Sequence, residues 1–148
     1  MTEEETQVSN TDLVLKMYEH FGNGAMDKIK SEVFHSEITW NMPGHHPLSA
    51  TMKGADEVIA FFSDLFKAGI TVDDVHFGEL DNGTVVEKHH GHGNVDGQEY
   101  LFPTCTSYDI EDGRIKNVQV HTADQHGVDR YMWARFELKS VGARLAES

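Results

Sequence analysis

Three dipeptides, Asn82-Gly83, Asp96-Gly97 and Asp112-Gly113, punctuate the second half of the chain. Asn-Gly and Asp-Gly accept the left-handed backbone that tight hairpins require. Each lies between segments rich in Val, Thr, Tyr and Phe, so residues 71–80, 84–94, 98–110 and 114–122 read as consecutive strands of an antiparallel meander. The first half has a different period. Leu13, Val14, Met17, Tyr18 and Phe21 recur at helical spacing, behind the cap candidates Ser9 and Asn10 and before Gly22-Asn23-Gly24. Met26, Ile29 and Val33 mark a shorter helix, and Ile38 to Met42 a strand stopped by Pro43-Gly44. A further helix starts near Gly54, carries Val58, Phe61, Phe62, Leu65 and Phe66 toward a core, and stops at Gly69. Asp124 to Phe136 reads as a last helix with Asp124 as its cap. Helices followed by a meander predict an α+β fold, the helices covering one face of a curved sheet.

With 148 residues and no repeat or proline-rich linker, one domain is expected over residues 11–148, preceded by an acidic, frayed tail over residues 1–10. A lone Cys105 argues against a disulfide-stapled scaffold. No apolar run approaches the roughly 18 residues that span a bilayer, and the acidic start, Met1-Thr2-Glu3-Glu4-Glu5, is unlike a basic leader, so a cytoplasmic location is expected. Twelve Lys and Arg against 25 Asp and Glu give a net charge of −13, which disfavours nucleic acid and anionic membranes as partners. Ten histidines remain to be explained.

Several short strings carry a family likeness: Trp40-Asn41-Met42-Pro43-Gly44 through Pro47-Leu48 to Lys53-Gly54, Asp112-Gly113-Arg114-Ile115, Thr122-Ala123-Asp124-Gln125 and Val128-Asp129-Arg130-Tyr131. Over roughly residues 11 to 134 the chain resembles the nuclear transport factor two-like superfamily. Within it, the nearest patterns are those of the SnoaL-like polyketide cyclases, ketosteroid isomerases and limonene epoxide hydrolases. The resemblance implies a cone-shaped, curved antiparallel sheet wrapped around N-terminal helices, one deep apolar pocket, and a homodimer. It also implies a cofactor-independent enzyme of secondary metabolism, a cyclase, isomerase or lyase acting by proton transfer on a small apolar carbonyl-bearing metabolite such as a polyketide.

Matching residues to those patterns separates the activities. The general-base position of the steroid isomerases falls on or beside Met42 and their oxyanion acid near Cys105, which disfavours steroid isomerisation. The epoxide hydrolases' Asp-Arg-Asp set is missing, since His89, Gly91 and about His121 stand in its place, although Asn41 is kept. In the cyclase pattern the acid/base position of the final strand falls on His121, and an imidazole suits that role with its ordinary pKa of about 6.5. Alternation with Val118 and Val120 leaves the face of His121 dependent on whether the strand contains a bulge. The expected catalytic set is therefore His121, with Tyr18, Asn41 and His89 holding the developing enolate. Trp40, Phe62, Tyr100 and Phe102 are expected to bind substrate. Glu87 shares a strand face with His89, a pair that would either orient the imidazole or be a surface ion pair worth little. His90 and His92 also share a face, but no His-Glu-x-x-His string or cysteine pair accompanies them, so neither metal nor cofactor is expected. Two other readings stand beside the cyclase: a noncatalytic small-ligand-binding domain, whose pocket would be uniformly apolar, and an epoxide hydrolase using histidine-activated water.

Overall fold

The computed structural model describes residues 9–136. The first eight residues of the expected acidic tail and the last twelve of the expected domain lie outside them. Helix α1 (Asn10–Gly22) starts where the Ser9 side chain accepts the Asp12 N–H, and it buries Leu13, Val14 and Met17. A short α2 (Met26–Lys28) runs directly into one π-helical turn, Ile29–Val33, which buries Ile29 and Val33. Strand β1 (Phe34–Met42) pairs with β2 (Ala50–Lys53), an edge strand that the Pro43-Gly44 stop had hidden within a loop. Helix α3 (Ala55–Lys67) follows and turns Ala55, Val58, Phe61 and Phe62 inward.

Strands β3 (Thr71–Glu79), β4 (Val85–Val95), β5 (Gln98–Glu111) and β6 (Arg114–Thr122) form the predicted meander, and α4 (Gln125–Arg135) closes it. The sheet order is β2-β1-β6-β5-β4-β3. The meander therefore ends beside β1, and β1 meets β6 in parallel, the one parallel junction among the described strands. Asp96-Gly97 and Asp112-Gly113 are two-residue loops with positive φ at both positions, as type I′ turns require. Asn82-Gly83 instead sits within a longer loop, in which the Asn82 side chain accepts the Thr84 N–H at 3.0 Å.

One irregularity decides which β6 residues face inward. Ile110 pairs with Ile115 while Asp109 pairs with Asn117, so an extra residue enters β6 ahead of Asn117. Beyond that bulge the alternation is regular: Val118 and Val120 are buried, whereas Asn117 and His121 are exposed.

The core lies between the concave face of the sheet and helices α1, α3 and α4. It is rich in aromatic contacts, with the Trp40 ring edge-on to Phe62 at 5.0 Å and to Tyr108 at 5.9 Å. Helix α4 is fixed by Tyr131, whose hydroxyl donates to the Ala68 carbonyl at 2.6 Å and whose ring lies against Gly93. A Cβ at Gly93 would come within 2.4 Å of that buried ring. Gly93→Ala should therefore lower stability by about 1–3 kcal/mol through overpacking, read as a lower urea midpoint at unchanged slope.

Candidate functional site

Between the helices and the sheet lies a cavity of about 190 Å³. Met17 and Phe21 of α1, Phe61 and Phe62 of α3, and Met132 of α4 form its helical side, with Trp40, Phe102 and Val120 across from them on the sheet. The mouth is apolar too: Val72 and Phe66 line it, and Phe66 is 76% exposed.

Polar groups converge on one wall. Glu87 is 0% exposed, an unusual position for a carboxyl group, which must be paired to be tolerated there. Its Oε1 accepts from the Tyr108 hydroxyl at 2.9 Å and from the Tyr18 hydroxyl, and its Oε2 meets Nδ1 of His89. Burial and the neighbouring carboxylate push the Tyr18 hydroxyl well above the ordinary tyrosine range; burial does the same to Tyr108, reinforced by Tyr18 and Glu87. Both therefore remain protonated donors. A carboxylate that already receives two tyrosine protons is an acceptor, so His89 donates from Nδ1; in the neutral imidazole Nε2 then carries the lone pair, and His89 lines the cavity. A carboxylate that fixes the tautomer and orientation of a histidine is the supporting half of an acid/base dyad.

Sequence spacing explains part of this assembly. Glu87 and His89 are two apart on β4 and share its inner face with Val85 and Gly91. Thr106 stands opposite Glu87 and Thr104 opposite His89 on β5. Tyr18 reaches the wall from α1. Tyr108, which sequence reasoning did not single out, lies 21 residues from Glu87, and no local pattern joins them. Its only signal was alternation on β5, where Tyr108, Thr106, Thr104 and Phe102 occupy the buried positions.

The structure brings Tyr18, His89, Trp40, Phe62 and Phe102 to the cavity and leaves three expected residues elsewhere. His121 was expected as the acid/base, but it is exposed on the convex face, because the bulge precedes Asn117 rather than separating Val120 from His121. Asn41 alternates outward from Trp40 and Met42, and its side chain donates to Thr51 and accepts from Gln119. Tyr100 stacks on Phe102 at 6.0 Å but borders a separate hollow formed with Gly69, Thr71, His92 and Gly93. The Tyr18 hydroxyl donates to Glu87. His121→Ala should consequently leave stability within about 0.5 kcal/mol, because exposed substitutions away from packed or paired groups change little; a denaturant titration measures this.

Three other outward histidines have acidic neighbours. His92 Nε2 meets Asp73 at 2.7 Å, His76 meets Asp74 at 2.7 Å, and His90 approaches Asp74 at 3.5 Å. Asp74 marks a second bulge, with φ of 51°. Burial holds His46 below the ordinary histidine pKa, and its Nδ1 accepts the Leu48 N–H at 3.1 Å. Among the described residues, no three His, Cys, Asp or Glu side chains gather as metal ligands, and no helix is long and apolar enough to cross a membrane.

A curved, unclosed six-stranded sheet with helices enclosing a pocket on its concave side is the NTF2-like, or cystatin-like, architecture. The chain belongs to the SnoaL-like domain family, whose model matches residues 14–118. Among solved structures it is similar to Bal32a from a soil-derived mobile gene cassette, with 22% identity, a TM-score of 0.75, and coverage of 83% of this chain and 95% of that one. A chain from Jannaschia Sp. CCS1 named for the SnoaL-like polyketide cyclases is 21% identical, with a TM-score of 0.63 and coverage of 84% and 92%. TerC, co-crystallised with polyporic acid, is 18% identical, with a TM-score of 0.64 and coverage of 76% and 90%. No curated protein matches.

Proposed function

We propose that this SnoaL-like domain is a cofactor-independent enzyme that moves a proton on an apolar, carbonyl-bearing metabolite such as a polyketide, with His89 as acid/base and Glu87 as its positioning residue. The observation that carries this reading is the convergence of Tyr18, Glu87, His89 and Tyr108 on one wall of a largely apolar cavity. A uniformly apolar lining would have favoured a simple ligand carrier instead.

In the proposed step, Nε2 of His89 removes a proton from the carbon next to the substrate carbonyl. The C–H bond breaks, an N–H bond forms, and the electron pair moves onto the carbonyl oxygen as an enolate. The imidazolium is stabilised by the Glu87 carboxylate beside Nδ1. Returning the proton to another carbon isomerises the substrate; attack of the enolate carbon on a second carbonyl closes a ring, and the proton then goes to the new alkoxide. Trp40, Phe62 and Phe102 supply flat apolar walls that hold the carbon skeleton and exclude water. The same reading includes a cytoplasmic homodimer, the convex sheet face with Asn41, Gln119 and His121 being its expected contact.

The experiment is α-proton exchange in deuterium oxide, followed by NMR on a panel of enolisable aryl ketones such as 2-tetralone. Support is exchange that saturates with ketone concentration and disappears when the cavity is blocked by Gly91→Phe. Exchange no faster than buffer across the panel, with the ketones bound, removes the catalytic reading.

A further inference from the structure

The protons on the polar wall are already assigned. Tyr18 and Tyr108 give theirs to Glu87, as does Nδ1 of His89. Thr104 donates to the Phe102 carbonyl at 2.9 Å and Thr122 to Gln125 at 2.7 Å. Among the described lining residues the Trp40 indole N–H is buried without a partner, and two further polar functions are left unassigned on the sheet wall, Nε2 of His89 and the Thr106 hydroxyl. Thr106 pairs with Glu87 across the sheet and so lies diagonally beside His89 on the same face. One acceptor beside one hydroxyl matches a ligand group that donates through its proton and accepts through its oxygen.

Charge restricts the ligand further. No Lys or Arg lines the cavity among the described residues, and the fully buried Glu87 carboxyl lies behind the wall. An anionic ligand would enter a low-dielectric cavity without a counter-cation and face a carboxylate. The chain's net charge of −13 adds a repelling field at longer range. Aromatic rings from Trp40, Phe61, Phe62 and Phe102 favour a flat skeleton.

We infer that the cavity selects an uncharged, planar aromatic ligand whose polar end is a hydroxyl, a phenol or enol, held by its proton on Nε2 of His89 with its oxygen beside Thr106. This rests on the reading of His89 as the active imidazole, although it does not require turnover. A carboxylate, sulfate or phosphate ester of the same skeleton is excluded.

Calorimetric titration of the full chain at neutral pH with 2-naphthol, 2-methoxynaphthalene and 2-naphthoate tests the inference. The expected result is 2-naphthol binding about five- to tenfold more tightly than 2-methoxynaphthalene, the value of one good hydrogen bond, with 2-naphthoate weakest. His89→Ala should bind both neutral compounds but lose the preference between them. Equal or tighter binding of 2-naphthoate, a preference unchanged in His89→Ala, or no binding of any of the three would overturn it. Failure of ketone exchange alongside an intact naphthol preference would sink catalysis while leaving ligand selection standing, so the two failures are distinguishable.

Discussion

Replacing His89 by glutamine should slow α-proton exchange of a bound aryl ketone by about 10²- to 10⁴-fold, the range contributed by a positioned general base. Glutamine is close to histidine in reach and keeps a polar end on the cavity wall, but it cannot take up a proton. His89 makes its charged contact through Nδ1 and lines the cavity, so the substitution removes the group that would accept the substrate's proton. Ketone affinity should change little, since the cavity lining that remains, Trp40, Phe62 and Phe102 included, is apolar. Single-turnover exchange at saturating ketone separates the two quantities, and an unchanged rate at unchanged affinity would take His89 out of the chemistry.

Glu87 supports the second large effect, which divides into stability and rate. Glu87→Ala strips the acceptor from the fully buried Tyr108 hydroxyl and from Tyr18 and His89. A buried donor left unsatisfied costs about 1–3 kcal/mol. Tyr18 and His89 are less deeply buried than Tyr108, so water replaces their lost acceptor more readily, and the expected loss is about 3 kcal/mol, dominated by Tyr108. Glu87→Gln keeps the shape but turns one oxygen into an NH₂ group. The less costly arrangement leaves the amide oxygen on the two tyrosines and faces NH₂ to Nδ1, which must then accept. The imidazole proton moves to Nε2 and the base is lost. Glu87→Gln should therefore be the more stable of the two variants by denaturant titration, yet slow exchange by at least about 100-fold. Wild-type exchange in a folded Glu87→Gln protein would contradict the positioning role.

The sequence made the architecture legible because its strongest signals are local. Two of the three dipeptides turned out to be two-residue turns, Ser9 and Asp124 cap their helices, and the buried faces of α1 and α3 follow the apolar period except at Phe66, which was expected in the core and is exposed. Edge strand β2 was less visible, because four residues with one buried side chain, Met52, give almost no alternation to read. The parallel β1–β6 junction joins elements far apart in sequence and has no local signature.

The site was legible to the same depth. Glu87 and His89 could be placed on one strand face by counting, whereas Tyr108 enters through a cross-sheet contact that only the register reveals. His121 illustrates the sensitivity of strand reading to one residue. A single added position reverses every side chain after it, and the bulge lies five positions upstream of His121, between Ile115 and Asn117, rather than at Val120. Counting from Asp124 suggested the inner face, and the observed register gives the outer one.

Long-range proton–nitrogen NMR on protein labelled with ¹⁵N-histidine most directly tests the Glu87–His89 dyad. The expected spectrum has His89 protonated at Nδ1 and bare at Nε2 in the free protein, with Glu87→Gln exchanging the two assignments. A bare Nδ1 and a protonated Nε2 in the unsubstituted protein would contradict it, because the imidazole would then present no lone pair to a substrate.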